Sequence, residues 1–125
     1  MEKWISHDKI NIRIELIDSF VGGNREVIIN FTGKDKNKYT LYFDYVYDFR
    51  YAIENAFISR VSKMSAEILQ SNSIFTAEES DYFKSFEHHV DGTISMKDVK
   101  HIIVFDAIDT GIEILTNKEP ILAKT

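Results

Sequence analysis

Residues 101–115 read HIIVFDAIDTGIEIL, and this stretch decides the fold class. Its first part, His101 to Phe105, is a continuous run of apolar and mostly β-branched residues, which is typical of a strand in the middle of a sheet. A six-residue connection, 106–111, leads to the sequence Ile112-Glu113-Ile114-Leu115. The two runs predict a hairpin with a long connection near the end of the chain.

The first third of the chain predicts three more strands. Apolar and polar residues alternate from Ile10 to Leu16, from Glu26 to Phe31 and from Thr40 to Tyr45, which is the period-two pattern of half-buried strands. Turn-forming residues separate them at 21–24 and at 33–38. Three strands in this order predict an antiparallel meander, one face of which must be covered by other elements.

The segment after the meander is open to two interpretations. Apolar residues from Phe49 to Ile68 recur at spacings of three and four, as on a helix, whereas Phe49, Tyr51 and Ile53 also alternate, as on a strand. We predict a helix from about Glu54 to Leu69, and residues 48–56 stay open between strand and helix.

The remaining elements are shorter. Residues 74–76 predict a short strand, and Ser80 is a good N-cap for a helix that ends at Asp91-Gly92. Pro120 is predicted to close the structured region and to leave a frayed tail.

Taken together, the elements predict an α+β fold. Residues 1–125 form one domain, in which an antiparallel sheet, made of the N-terminal three-stranded meander and the C-terminal hairpin, packs against two or three helices.

The charge of the chain is distributed unevenly. The formal net charge is -5 and the sequence pI is about 5.3. Between Met64 and Glu119 there are eleven Asp or Glu residues and four Lys, whereas the first 63 residues carry nine acids and ten bases. Such a charge distribution favours a basic protein as partner and argues against nucleic acid and against anionic membranes.

Composition narrows the class of protein further. The chain has no cysteine, which excludes disulfides and zinc–thiolate sites, and it has no apolar run near the ~18 residues that cross a bilayer. The N-terminus is polar and lacks the apolar core of a signal peptide, so we expect a cytoplasmic protein.

No motif for catalysis, cofactor binding or metal binding is present, and we predict no catalytic residue, cofactor or metal. His88 and His89 are adjacent, so they point in different directions on a helix or strand and are better explained as solvated helix-end residues. Asp106 and Asp109 flank a loop in which aspartates usually bind their own backbone. His89 and Asp91, or His101 and Asp106, could contact each other only through the tertiary fold, which the sequence does not decide.

Two clusters are candidates for binding a protein partner. The run from Tyr42 to Tyr51 mixes tyrosines with carboxylates and one arginine, residue types that are frequent in protein interfaces. A second cluster is acidic and crowds the start of the helix capped by Ser80, where its charge also suits the helix dipole. The predicted partner-binding residues are Tyr42, Asp44, Tyr47, Asp48, Glu78, Glu79 and Asp81.

The order of features resembles small, acidic, uncharacterised bacterial proteins of the kind found as immunity proteins beside secreted toxins. The resemblance rests on residues 41–51, on Glu79-Ser80-Asp81-Tyr82 with Phe86, and on residues 101–106 and 112–115 with Pro120. It implies a cytoplasmic α+β domain that neutralises a toxin by binding it and that is not an enzyme.

We therefore expect a non-enzymatic protein-binding domain, and by resemblance an immunity protein that meets a basic toxin domain such as a nuclease. One alternative is a small ligand-binding or enzymatic domain with a pocket between sheet and helices. Another is a self-assembling structural domain, in which exposed tyrosines form a homodimer interface.

Overall fold

The computed structural model describes residues 1–53, 59–108 and 110–125. The described residues form two antiparallel sheets with nine strands, and the helices are short. In chain order the strands are β1 (Lys3–Ser6), β2 (Ile14–Gly23), β3 (Glu26–Gly33), β4 (Lys38–Phe43), β5 (Val46–Ile53), β6 (Ile74–Glu78), β7 (Lys100–Phe105), β8 (Thr110–Thr116) and β9 (Ile121–Lys124). Helix α1 (Ala66–Ser71) precedes β6, and helix α2 (Asp81–Val90) follows it.

The two sheets have different strand orders. The five-stranded sheet runs β1-β6-β7-β8-β5, and the four-stranded sheet runs β2-β3-β4-β9. The predicted meander is confirmed as β2-β3-β4, and the predicted hairpin as β7-β8, but they belong to different sheets. The prediction of one sheet packed against helices was therefore wrong: the fold is mostly sheet, and the apolar face of the meander is covered by the second sheet.

Side chains from the facing surfaces of both sheets make the main core. Alternate residues of β3 and β4 point toward alternate residues of β7 and β8, which is the packing expected of two stacked sheets. The fully buried members include Ile29, Phe31, Leu41, Phe43, Ile102, Val104, Ile112 and Ile114. All seven residues of β8 are buried, so its two faces are both covered.

The other face of the five-stranded sheet carries the helices. Ile68 and Leu69 of α1 pack with Trp4, Phe75 and Ile103. Tyr82, Phe83 and Phe86 of α2 pack with Leu115 of β8. The ionic side chains of the functional site lie on this same face, among these two apolar clusters.

The helix predicted from Glu54 to Leu69 differs from the structure. Residues 46–53 are strand β5, which pairs with β8 along its whole length, so the alternation of Phe49, Tyr51 and Ile53 reports a strand. Residues 54–58 lie outside the described residues, 59–61 are helical, and α1 begins only after Ser65, whose side chain caps it. The cross-strand pairing with β8 decides the conformation that the sequence pattern left open.

Several local predictions are confirmed. The Ser80 side chain accepts a hydrogen bond from the Phe83 N–H, and Asp91 ends α2 in the left-handed conformation with φ of 45°. Residues 74–76 lie in strand β6.

Two ends were predicted incorrectly. The tail is not frayed, because strand β9 pairs with β4 and completes the four-stranded sheet. The first hairpin turns at Asn24 and Arg25, which have φ of 52° and 65°, so β2 continues through both glycines that the sequence had assigned to the turn. A Cβ at Gly22 would lie 2.4 Å from the Phe49 ring, so a larger residue at this position would displace that ring.

In the described part of the chain, the helices are all too short and too polar to cross a bilayer.

Candidate functional site

A cleft of about 620 Å³ opens on the helix-bearing face of the five-stranded sheet. It is bordered by the N-terminal residues, by β5, by the segment before α1 and by the first turns of α2. Most of its lining side chains are charged: Glu2, Arg50, Arg60, Lys63, Glu79, Asp81 and Lys84, with Tyr82 among them. Three further cavities of the described residues each bring together fewer ionisable groups.

Beside the cleft, Glu113 is the centre of a buried ionic cluster. Its side chain is 1% exposed, and its two carboxylate oxygens accept hydrogen bonds from three residues. Arg50 Nε donates at 2.6 Å, Arg60 donates through Nη1 and Nη2 at 3.0 and 2.7 Å, and His101 Nε2 lies at 2.7 Å. A buried carboxylate is retained in a protein when donors such as these replace its water.

The strand register explains how the cluster forms. Glu113 alternates with Ile112 and Ile114, so it points away from the main core, toward the helix side. Arg50 is its direct partner on β5, and His101 lies two residues from its partner on β7, Ile103. The cluster therefore combines a direct and a diagonal cross-strand contact.

Arg60 extends the cluster to the N-terminal strand. Its Nη2 and Nε atoms donate to the Glu2 carboxylate at 2.6 and 3.0 Å. Trp4 Nε1 donates to the same carboxylate at 2.9 Å. Arg60 is thus shared by Glu2 and Glu113, and it ties β1 to β8 through side chains alone.

Tyr82 and Ser80 connect helix α2 to the cluster. The guanidinium carbon of Arg50 lies 4.0 Å from the centre of the Tyr82 ring, and the Tyr82 hydroxyl donates to Asp48 at 2.7 Å. The Ser80 hydroxyl, which caps α2, is 2.7 Å from Nδ1 of His101. Because an ionised carboxylate only accepts hydrogen bonds, the proton of His101 Nε2 faces Glu113, and the other ring nitrogen faces Ser80.

The pairing moves pKa values away from neutrality. Burial alone would raise the pKa of Glu113, but hydrogen bonds from His101, Arg60 and Arg50 hold it far below the ordinary 4.5. Burial alone would lower the pKa of Arg60, but its bonds to Glu113 and Glu2 raise it. Burial and the hydrogen bond to Asp48 raise the pKa of Tyr82 well above its ordinary 10.0. These three groups keep their usual charge at neutral pH.

The predicted partner-binding residues do not form one surface. Tyr42 and Asp44 lie with the four-stranded sheet, where the Tyr42 hydroxyl donates to Glu26 at 2.7 Å and this bond raises the pKa of Tyr42 to about 12. Four of the other five, Tyr47, Asp48, Glu79 and Asp81, lie on the helix side. Tyr47 packs against the cluster of Tyr82 and Leu115, Asp48 binds Tyr82, Glu78 ends β6, and Glu79 and Asp81 line the cleft.

The histidines and Asp106, which the sequence singled out, do not come together as one site among the described residues. His88 and His89 lie exposed in the last turn of α2. The sequence left open a contact between His101 and Asp106, and the structure shows His101 bound to Glu113 and Ser80 instead. Asp106 accepts hydrogen bonds from the backbone amides of Ile17, Ile108 and Thr110. Asp109 lies outside the described residues.

A second group of ligand-type side chains, His7, Asp8 and Glu119, is close enough to hold a metal ion. However, Nδ1 of His7 accepts the backbone N–H groups of Lys9 and Ile10, at 3.1 and 3.0 Å. The ring proton therefore lies on Nε2 and faces Glu119 at 3.1 Å. Both nitrogens are satisfied without an ion, so this group is a structural link between the two ends of the chain.

Sequence reasoning missed the central residues of the cluster, Glu113, Arg50 and Arg60. One signal was present: Glu113 interrupts the otherwise apolar run 112–115, and a charge in a strand buried on both faces requires a partner. Nothing local identifies Arg50 and Arg60 as these partners, because they lie 63 and 53 positions away.

Searches of protein-family models, of curated proteins and of solved structures found no match to this chain. The resemblance to immunity proteins therefore stays a prediction from sequence.

Proposed function

We propose that this chain is a non-enzymatic protein-binding domain, and that it acts as an immunity protein which neutralises a cognate bacterial toxin by binding it. The observation that supports this proposal is the division of the charged groups around the cleft into a paired cluster and an exposed rim. The cluster, Glu113 with its three partners, lies beside the cleft and is held by its own hydrogen bonds. The rim carries exposed charges that are available to a partner.

The pKa shifts favour binding over acid–base catalysis. An efficient general acid or base has a pKa near the working pH. The pKa of Glu113 is lowered and that of Tyr82 is raised, so both move away from that range. A hydrogen-bonded cluster that keeps its charge states at neutral pH suits a surface that is complementary to a partner before the two meet, which limits the entropy lost on binding.

The acidic residues at the start of α2 are the proposed contact with a basic toxin domain. Glu78, Glu79 and Asp81 are exposed and lie within four residues of one another, and Glu79 and Asp81 line the cleft. Exposed charges of this kind accelerate association more than they strengthen the complex. Tyr42 and Asp44 lie with the other sheet, so we leave them out of the proposed contact.

The test is titration of the purified protein with a toxin domain encoded beside its gene, with the affinity measured by calorimetry and the association rate by stopped-flow mixing, each at low and high salt. We expect binding that weakens as salt is added. The variant Glu78→Gln, Glu79→Gln, Asp81→Asn is expected to bind about tenfold more slowly. The matched control, Glu67→Gln, Glu87→Gln, Asp98→Asn, removes three exposed acids elsewhere and should bind as the parent does. Absence of binding, or equal loss in both variants, would contradict the proposal.

A second candidate function is ligand binding in the cleft. Its support is the volume of about 620 Å³, which lies within the usual range of small-molecule sites, together with convergent polar groups from four parts of the chain. The two functions separate experimentally, because ligand binding requires no partner protein.

A further inference from the structure

Arg50 is fixed at two points and still has hydrogen-bond donors to spare. Its Nε donates to Glu113, and its guanidinium stacks on Tyr82. A guanidinium has five N–H donors in a planar fork, of which Nε uses one. The side chain is 46% exposed and lines the cleft. Across residues 1–53, 59–108 and 110–125, no acceptor binds its two Nη groups.

Two lysines add positive charge around this fork. Lys63 and Lys84 both line the cleft and are both exposed. Within the described residues neither forms an ion pair, whereas Lys36, Lys38 and Lys100 do.

The balance of charge in the cleft limits what can bind. Three positive charges are each neutralised by a carboxylate in an ion pair: Arg50 by Glu113, Arg60 by Glu2, and the N-terminal ammonium by Glu79. Lys63 and Lys84 then face one acid with no ion pair among the described residues, Asp81. The surplus is close to one positive charge, which matches a monoanion. A phosphate group with its charge of about -1.5 to -2 would exceed it.

We propose that the cleft binds a carboxylate group, with the Nη donors of Arg50 as a bidentate fork and with Lys63 and Lys84 supplying charge. The flat carboxylate fits a guanidinium fork that is held in place in advance. The group can belong to a small organic acid or to a polypeptide. This inference rests on the second candidate function, ligand binding in the cleft, and it is independent of any toxin partner.

The experiment is an NMR titration of the full chain with sodium acetate, at an ionic strength held constant with sodium chloride. Expected are saturable shifts of the Arg50 Nε–H signal and of the Tyr82 ring. Inorganic phosphate, titrated in the same way, is expected to bind at least threefold more weakly. N-acetylalanine and N-acetylglutamate α-amide then compare a chain-terminal carboxylate with a side-chain carboxylate, and the tighter of the two identifies the source.

Two sets of variants distinguish the contribution of the Arg50 guanidinium fork to acetate affinity from the contribution of nearby positive charge. Arg50→Lys keeps the charge and loses the fork, so acetate affinity should fall more than tenfold. Lys63→Gln with Lys84→Gln should weaken it about fivefold, as expected for two exposed charges. The control pair Lys97→Gln with Lys118→Gln removes two exposed lysines outside the cleft and should leave affinity unchanged.

Three outcomes would overturn the inference. Phosphate that binds more tightly than acetate, with shifts centred on Arg50, would exclude a carboxylate site and leave ligand binding in the cleft intact. Acetate shifts that spread over surface lysines without saturation would exclude a site at Arg50. No shift at the cleft with any probe would contradict both this inference and the second candidate function, while the toxin titration would still decide the first.

Discussion

Strands β7 and β8 present two buried faces of opposite character. The face toward the four-stranded sheet carries Ile102, Val104, Ile112 and Ile114, all of them apolar and at most 1% exposed. The face toward the helices carries His101 and Glu113, which are equally buried but bound to one another and to two arginines. The first face is stabilised by removal of apolar area from water, and the second by the completeness of its hydrogen bonds. Burial alone therefore does not indicate how a position responds to substitution.

The largest effect is expected on the apolar face. Ile114→Ala removes three carbons from a fully buried site between the sheets and should lower the free energy of unfolding by about 4 kcal/mol. Urea denaturation at neutral pH measures this, with Ile114→Val as a graded control near 1 kcal/mol. An Ile114→Ala loss no greater than that of the valine variant would mean that the two sheets do not pack as described.

Loss of the neighbouring carboxylate should have a slightly smaller effect. Glu113→Gln removes the negative charge that Arg50 and Arg60 share and replaces one of its two acceptor oxygens by an NH2 donor, although Arg60 keeps Glu2 and both arginines reach solvent in part. We expect a loss of about 3 kcal/mol, near the lower end for a broken buried ion pair. Glu87→Gln, at an exposed position in α2, should change stability by less than about 0.5 kcal/mol. Equal effects of the two glutamine variants would show that the cluster carries no stability.

Acid should distinguish the two faces. The folded-state pKa of Glu113 is depressed, so its contribution is complete above the ordinary value of 4.5 and is lost as pH falls toward the folded-state value. Between neutral pH and about pH 3, this group alone should remove about 2 kcal/mol, since it stays ionised in the folded state and is protonated in the unfolded one. Denaturation midpoints of the parent and of Ile114→Ala should then fall in parallel, and that of Glu113→Gln should fall less. An equal fall of the denaturation midpoint in all three proteins would argue against a depressed pKa of Glu113.

The smallest effect on stability is expected from the hydrogen bond between Tyr82 and Asp48, beside the ionic cluster. Tyr82→Phe removes the hydroxyl that donates a hydrogen bond to Asp48 and keeps the aromatic ring against Arg50. We therefore expect the free energy of unfolding to fall by about 1 kcal/mol. The measurement is again urea denaturation, and acetate binding at Arg50 should persist in this variant. A loss of several kcal/mol would show that the hydroxyl, and not the ring, holds α2 in place.

Ion pairs between the two halves of the chain account for part of the uneven distribution of charge along the sequence. The acidic stretch from Met64 to Glu119 has few bases of its own, yet Glu113 is neutralised by Arg50 and Arg60 from the first half of the chain, and Glu79 by the N-terminal ammonium. Lys100 and His7 contact Glu119. Within this stretch, the described acids that stay exposed without an ion pair are Glu67, Glu78, Asp81, Glu87, Asp91 and Asp98. Glu78 and Asp81, which belong to the proposed contact with a basic partner, are among them.

The sequence by itself determined the local features. Strand periodicity identified the meander and the C-terminal hairpin, and short-range chemistry identified Ser80 and Asp91-Gly92 as the ends of α2. These features depend on residues within a few positions of one another, where backbone geometry and side-chain hydrogen bonds are fixed by neighbours in the chain.

Only the tertiary structure decided which strands share a sheet and which charges meet. The conformation of residues 48–53 follows from pairing with β8, and β9 exists because β4 offers it an edge. Likewise the sequence shows Glu113 as a charge within an apolar run, but only the fold, through β5 and the segment at Arg60, brings two guanidinium groups to it. Both outcomes depend on contacts between residues tens of positions apart. The free energy of such contacts arises only when the whole fold has closed around them, so no local pattern carries it.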